Sequence, residues 1–163
     1  MGIPRYVVEL RDKIGHTLLL LPAVTAVVLN DLGQVLLQRR SEGGRWGLPS
    51  GIIEPGEEPA EAVVREVREE SGLTVVPERI SGVYGGPDLR VSYANGDEAI
   101  YVDITFVCRP IGTEMPRVAD DESLEIRYFD LDDLAPMAAL HRDRLEQALG
   151  GEPRAYFRTN GSG

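Results

Sequence analysis

The chain has 163 residues, 27% charged and 42% apolar, which is enough for one domain (1–163) with a substantial core. Its formal net charge of −10 argues against nucleic-acid binding, which needs a basic surface, and sets a problem for any phosphate-bearing ligand. The single cysteine, Cys108, permits no internal disulfide; with no signal-peptide core beside Glu9, Arg11, Asp12 and Lys13, the cytoplasm is the expected location.

In chain order, Tyr6, Val7, Leu10 and Ile14 recur at helical spacing, so a helix is expected over 5–14, ended by Gly15. Leu18–Leu21 and Ala23–Leu29 read as two strands broken at Pro22, too short a run to span a bilayer, so no membrane contact is expected. "NDLGQ" reads as a turn and Val35–Gln38 as the returning strand of a hairpin. A glycine-rich loop, "SEGGRWGLPSG", leads towards a helix with Pro59 in its first turn and Gly72 just past its end. Short strands follow at Thr74–Val76 and Ile80–Tyr84. Asn95-Gly96 turns a hairpin between Leu89–Tyr93 and Ile100–Val107. Glu125–Asp130 reads as a strand, then a short helical turn, Pro136, and a helix ending at Gly150-Gly151. The tail, 152–163, shows no clear element. Strands and helices mix without strict alternation, so the fold class is α/β with a mixed sheet.

The helix after Pro59 carries an oddity. At about 100° per residue, Glu66, Glu69 and Glu70 fall within one arc of about 100°. Glu66 and Glu70 form a like-charge i,i+4 pair that costs roughly 0.2–0.5 kcal/mol. Ala60, Val63, Val64 and Val67 make an apolar face with the carboxylates at its edge, so they are expected half-buried. A solvated acidic face is the plain reading of the helix alone. Half-buried like charges instead call for a counter-ion, and a hard divalent cation takes oxygen ligands.

The residues upstream decide between these readings. "GIIEPGEEPAEAVVREVREESGL", Gly51 to Leu73, resembles the Nudix box: glycine, five residues, glutamate, seven residues, Arg-Glu, an apolar residue, any residue, Glu-Glu, any residue, glycine, an apolar residue. Every specified position is matched. "VLLQRR" and "LPSG" resemble the approach to the box, with Ser50 where many members have a second glycine. The resemblance covers roughly residues 20–135 and implies a mixed sheet sandwiched between helices, the α/β/α Nudix fold.

It also implies a hydrolase cleaving a diphosphate linkage in a nucleotide derivative, by water attack on phosphorus. A nucleotide sugar such as ADP-ribose and a nucleoside triphosphate are both open as substrates. The resemblance gives Glu66, Glu69 and Glu70 to metal binding, adds the Gly51 carbonyl, and pairs Arg65 with Glu57. The general base stays open between Glu66 and an acid in Asp120–Glu122, with Glu122 a further metal candidate. The cofactor expected is Mg²⁺, with Mn²⁺ able to substitute. A homodimer is compatible with the sequence. A non-catalytic nucleotide-sensing module is the alternative, set against an intact box.

Weaker signals carry bland readings beside functional ones. Arg39, Arg40 and Arg45 are phosphate contacts or surface arginines. Trp46 stacks on a base or packs its loop. Pro87 lies near a proline of ADP-ribose-hydrolysing members without a clean offset match. His16 and His141 are isolated, Asp97 and Glu98 read as turn residues, and Tyr156–Phe157 lie in a docked or frayed tail. Cys108, in an apolar strand, does not suit the isomerase that shares this fold.

Overall fold

The computed structural model describes residues 3–41 and 43–159. Three helices, α1 (Arg5–Ile14), α2 (Pro59–Ser71) and α3 (Ala139–Leu149), pack on two sheets. The larger sheet joins β4 (Ser50–Ile52), β1 (Leu19–Val28), β7 (Glu98–Ile111) and β5 (Thr74–Tyr84) in that order, with β6 (Arg90–Ser92) paired to β7. The β1–β7 pair is parallel and the others antiparallel, so the sheet is mixed. The smaller sheet runs β3 (Trp46–Gly47), β2 (Val35–Arg40), β8 (Ser123–Phe129).

Alternation along the strands splits the core in two. Val24, Ala26, Val28, Leu36, Phe106 and Cys108 point to α2. Val27, Val35, Leu37, Val107 and Phe129 point the other way and meet Leu145 and Ala148 of α3. Strands buried on both faces read as near-continuous apolar runs. At the far end of β1, Leu21 and Ala99 take α1 through Val7. The face opposite α2 is therefore covered at one end by α1 and at the other by α3. Between them Ala23, Thr25 and Asp103 floor a cleft.

Several expected boundaries give way. Pro22 does not break a strand: β1 runs from Leu19 to Val28 through it. The Pro22 carbonyl accepts the Ile53 N–H at 3.1 Å, so this residue's backbone edge faces β4, and the missing N–H costs no bond to β7. Val35–Gln38 does return from the turn, but the expected hairpin stops at the antiparallel Leu29–Val35 bridge: Leu36 and Leu37 feed opposite cores and β2 pairs with β8 in the second sheet. Thr74–Tyr84 is one strand, its register shifting at Pro77 and again at Ile80. Residues 131–133 form a turn rather than helix. The tail docks: Tyr156 exchanges two 2.8 Å backbone hydrogen bonds with Ser81 and Val83, extending the sheet edge, and residues 160–163 lie outside the described residues. No helix among the described residues is long and apolar enough to cross a membrane.

Candidate active site

Helix α2 starts on Pro59, where the Glu61 carboxylate accepts the Glu58 N–H at 3.2 Å. It stops at Gly72, which takes φ 73°, a left-handed conformation that favours glycine. Its buried side is Ala62, Val63, Glu66, Val67, Glu70 and Ser71, while Ala60 is exposed. The buried face is thus rotated from the expected one, and two carboxylates sit inside it rather than at its edge. Glu66 is 1% and Glu70 2% exposed, and the Glu69 side chain is 45% exposed.

Glu70 is held by three donors. Gln38 Nε2 and Arg40 Nη2 each reach Oε1 at 3.0 Å, and the Ser50 N–H reaches Oε2 at 3.2 Å. Even so, burial pushes its pKa up to about 8, against the opposing pull of Arg40 and Gln38. Glu66 is less well satisfied. Arg65 Nη1 donates to Oε1 at 2.7 Å, whereas Oε2 is buried and finds no hydrogen-bond partner among the described residues. Burial raises Glu66 to about 7. Its carboxylate lies flat against Gly51, where a Cβ would collide with all three carboxyl atoms, so only glycine allows this approach.

Arg65 is the organiser. Its Nε and Nη2 grip Glu57 at 2.6 and 2.8 Å, Nη2 also donates to the Ile52 carbonyl at 3.0 Å, and Nη1 reaches Glu69 at 3.3 Å besides Glu66. One guanidinium thus ties the loop, strand β4 and two helix glutamates together. The Glu57 carboxyl is shifted down from its ordinary value, chiefly through the Arg65 hydrogen bond.

As the side chains stand, no three acidic, histidine or cysteine groups among the described residues converge closely enough to hold a metal. The hydrogen bonds explain why: Arg65 draws Glu69 aside and Arg40 occupies Glu70. The donor set nevertheless fits a divalent cation. It offers hard carboxylate and backbone oxygens, and the orphaned Glu66 Oε2 against Gly51 is a buried acceptor awaiting a positive partner.

Beside this cluster opens the cleft, about 500 Å³. Arg40, Ser50, Gly51 and Glu122 line its end nearest the glutamates. Leu89, Val91, Tyr93 and Tyr101 form an apolar and aromatic wall. Glu66, Glu69 and Glu70 do not themselves line it; Glu66 and Glu70 lie against the β4 backbone, with Arg40 between Glu70 and the opening. Asp120 and Asp121 are not lining residues, and Asp120 Oδ1 accepts the Ser123 N–H at 2.8 Å.

The weaker candidates separate. Arg39 pairs with Glu125 at 3.4 Å and Arg45 is exposed, so neither reaches the cluster. Trp46 packs edge-on against Phe129, ring centroids 4.7 Å apart. His16 pairs with Asp97 at 2.8 Å, and Arg11 donates to the Glu98 carbonyl at 2.7 Å, which pins the β6–β7 turn to α1. Cys108 is buried under α2 with its thiol pushed up to about 12 by burial, a core residue. His141 lines the cleft, and burial with the nearby Arg144 and Arg40 pushes it down to about 4.

Sequence reasoning missed Gln38, Thr25, Asp103 and Arg144. Asp103 accepts from Thr25 at 2.6 Å and Thr105 at 2.8 Å, and pairs with Arg144 at 3.2 Å; of these, Thr25, Asp103 and Arg144 line the cleft. The available signal was an uncharged polar residue closing an apolar run, Gln38 in "VLLQRR", and a single acidic residue inside a mostly apolar strand, Asp103 in "YVDITFV".

A family model described as the NUDIX domain matches residues 19–149. The ADP-ribose pyrophosphatase of Methanocaldococcus jannaschii is 33% identical over 83% of this chain and 78% of its own. The human 8-oxo-dGDP phosphatase NUDT18 is 32% identical over 91% of this chain and 46% of its own. Among solved structures, the NUDIX domain of Shewanella oneidensis NrtR complexed with ADP ribose superposes with TM-score 0.62 and 25% identity, over 92% of this chain and 98% of that one.

Proposed function

The chain belongs to the NUDIX family and is a Nudix hydrolase, and on that premise we propose that it is a divalent-metal-dependent diphosphohydrolase acting on a nucleotide sugar of the ADP-ribose class. The observation that carries this is the pair of buried carboxylates at Ser50–Gly51, one with an orphaned oxygen, set at the end of a cleft with an aromatic wall. Glu66 and Glu70 hold the cation, with Glu69 and the Gly51 carbonyl as further donors. The metal is Mg²⁺, with Mn²⁺ as substitute.

A bound divalent cation neutralises the diphosphate and acidifies a water. The chain's own groups do the rest. Arg65 fixes Glu66 against Gly51 and keeps Glu57 ionised beside it. Tyr93, Tyr101, Leu89 and Val91 offer apolar area for the nucleoside, and Arg40 and Ser50 mark the diphosphate end. Proton removal from the attacking water falls to Glu66 or to Glu122, the acid of the 120–122 loop that faces the cleft. ADP-ribose leads because a relative that aligns over most of both chains carries that activity in its name, and a solved neighbour holds the same molecule. Oxidised purine nucleotides come second, through the human phosphatase, of which this chain spans under half.

The test is a panel of nucleotide sugars, nucleoside triphosphates and oxidised nucleotides, with Mg²⁺, with Mn²⁺ and with EDTA, products identified. ADP-ribose is expected to give AMP and ribose 5-phosphate, fastest of the panel. Tight binding with no turnover under any metal would move the chain to the nucleotide-sensing reading.

A further inference from the structure

Arg40 Nη2 lies 2.9 Å from the Ser50 carbonyl oxygen and 3.0 Å from Glu70 Oε1. A positive group thus bridges a backbone oxygen and a carboxylate oxygen, the donor types that Mg²⁺ takes. The same side chain lines the cleft and is 41% exposed, whereas Glu70 behind it is 2% exposed. We propose that Arg40 is a resident counter-ion: it holds the cation's place at Glu70 until a divalent metal displaces it into the cleft, where it then binds the substrate's diphosphate. The inference rests on the proposed cation role of Glu66 and Glu70.

Three physical points carry it. A buried carboxylate needs a positive partner or a proton, and guanidinium does not titrate in the working range, so Arg40 stays positive beside Glu70 whether or not that carboxyl carries a proton. Its hold on Glu70 is a single Nη2 contact at 3.0 Å, unlike the two-pronged grip of Arg65 on Glu57, so it is the arginine built to let go. Its planar fork suits two phosphate oxygens once free, and the cleft end it lines is the one at Ser50 and Gly51. Metal loading and diphosphate binding are then linked through one side chain, and such coupling is reciprocal.

The experiment uses metal-stripped full-length protein: wild type, Arg40→Met, Arg40→Gln and Arg39→Gln. Mg²⁺ binding is measured by titration calorimetry and by the Mg²⁺-induced shift in Tm, and ADP binding is measured at saturating Mg²⁺. Both Arg40 variants are expected to bind Mg²⁺ at least ~10-fold tighter, since no cationic partner has to be displaced from Glu70, and to show a larger Tm shift. They are expected to bind ADP at least ~10-fold more weakly. Arg39→Gln removes the same charge one residue away and should change Mg²⁺ affinity by less than ~2-fold. Arg40→Gln keeps an amide donor for Glu70, which guards against an unfolded Arg40→Met. Opposite signs for Mg²⁺ and ADP are what a merely structural arginine would not give. Mg²⁺ affinity equal or weaker in both Arg40 variants would overturn displacement. Tighter Mg²⁺ with unchanged ADP would overturn the diphosphate role, and no Mg²⁺ binding by any of the four proteins would overturn the cation reading beneath.

Discussion

Burial sets the proton chemistry of Glu66 and Glu70 before anything binds to them. Their pKa values rise from 4.5 to about 7 and about 8, so the metal-free folded state holds protons that the unfolded chain releases. For such groups stability is fully present below the unfolded pKa and is lost as pH rises through the folded one. His141 works in the opposite sense: lowered from 6.5 to about 4, it contributes stability above pH 6.5 that disappears as pH falls through 4. The clean window therefore runs from pH 6.5 to about 8. There the Tm of wild type in EDTA is expected to fall with rising pH, and Glu70→Gln to flatten that fall. A wild-type Tm that rises across the window would refute the assignment. Arg65 supplies the second test at this scale. Its contacts to Glu69 and Glu66 alone would be a modest helix pair, but the grip on Glu57 and Ile52 fixes how Glu66 meets Gly51. Arg65→Ala is expected to cost about 10–100-fold in Mg²⁺ midpoint or maximal rate, with a smaller change in the EDTA Tm. An unchanged midpoint and rate would leave Arg65 as a helix-surface arginine.

Helix α3 shows what one element does for another's site. Leu145 and Ala148 anchor it on Val27, Leu37 and Val107, and the same helix carries His141 and Arg144 to the cleft. Leu145 is 2% exposed, so Leu145→Ala is expected to cost about 2–5 kcal/mol in denaturant unfolding, with a cost under about 1 kcal/mol placing the side chain outside the core. Elements were legible where local rules agreed. Pro59, the valines and Gly72 marked α2, and Asn95-Gly96 marked the β6–β7 turn. They were not legible where tertiary context overrode the local signal. Apolar periodicity places carboxylates at a helix edge because it counts only side-chain polarity, yet Gln38, Arg40 and the Gly51 gap let Glu66 and Glu70 sit inside the buried face. Pro22 reads as a strand breaker until one knows that its backbone edge faces β4. Asp103–Arg144 joins a strand to a distant helix, a contact no local pattern encodes.

At the scale of the whole molecule, a chain of net charge −10 takes up an anionic diphosphate only if positive charge is concentrated at the cleft. The tail also acts at this scale. Tyr156 closes the β5 edge with two backbone hydrogen bonds, and its ring lies 5.5 Å from that of Tyr84. Removing residues 152–163 is expected to cost roughly 2–4 kcal/mol and to promote association through the bared edge, seen by denaturant unfolding and light scattering. A truncated protein equal to wild type in both would show the docked tail to be idle. The most direct test of metal-dependent hydrolysis follows ADP-ribose by ³¹P NMR with Mg²⁺ or excess EDTA, using wild type and Glu70→Gln. Wild type with Mg²⁺ is expected to yield AMP and ribose 5-phosphate, EDTA to abolish turnover, and Glu70→Gln to lower kcat at least ~100-fold while folded. Full turnover by wild type in excess EDTA, or undiminished turnover by Glu70→Gln, would contradict it.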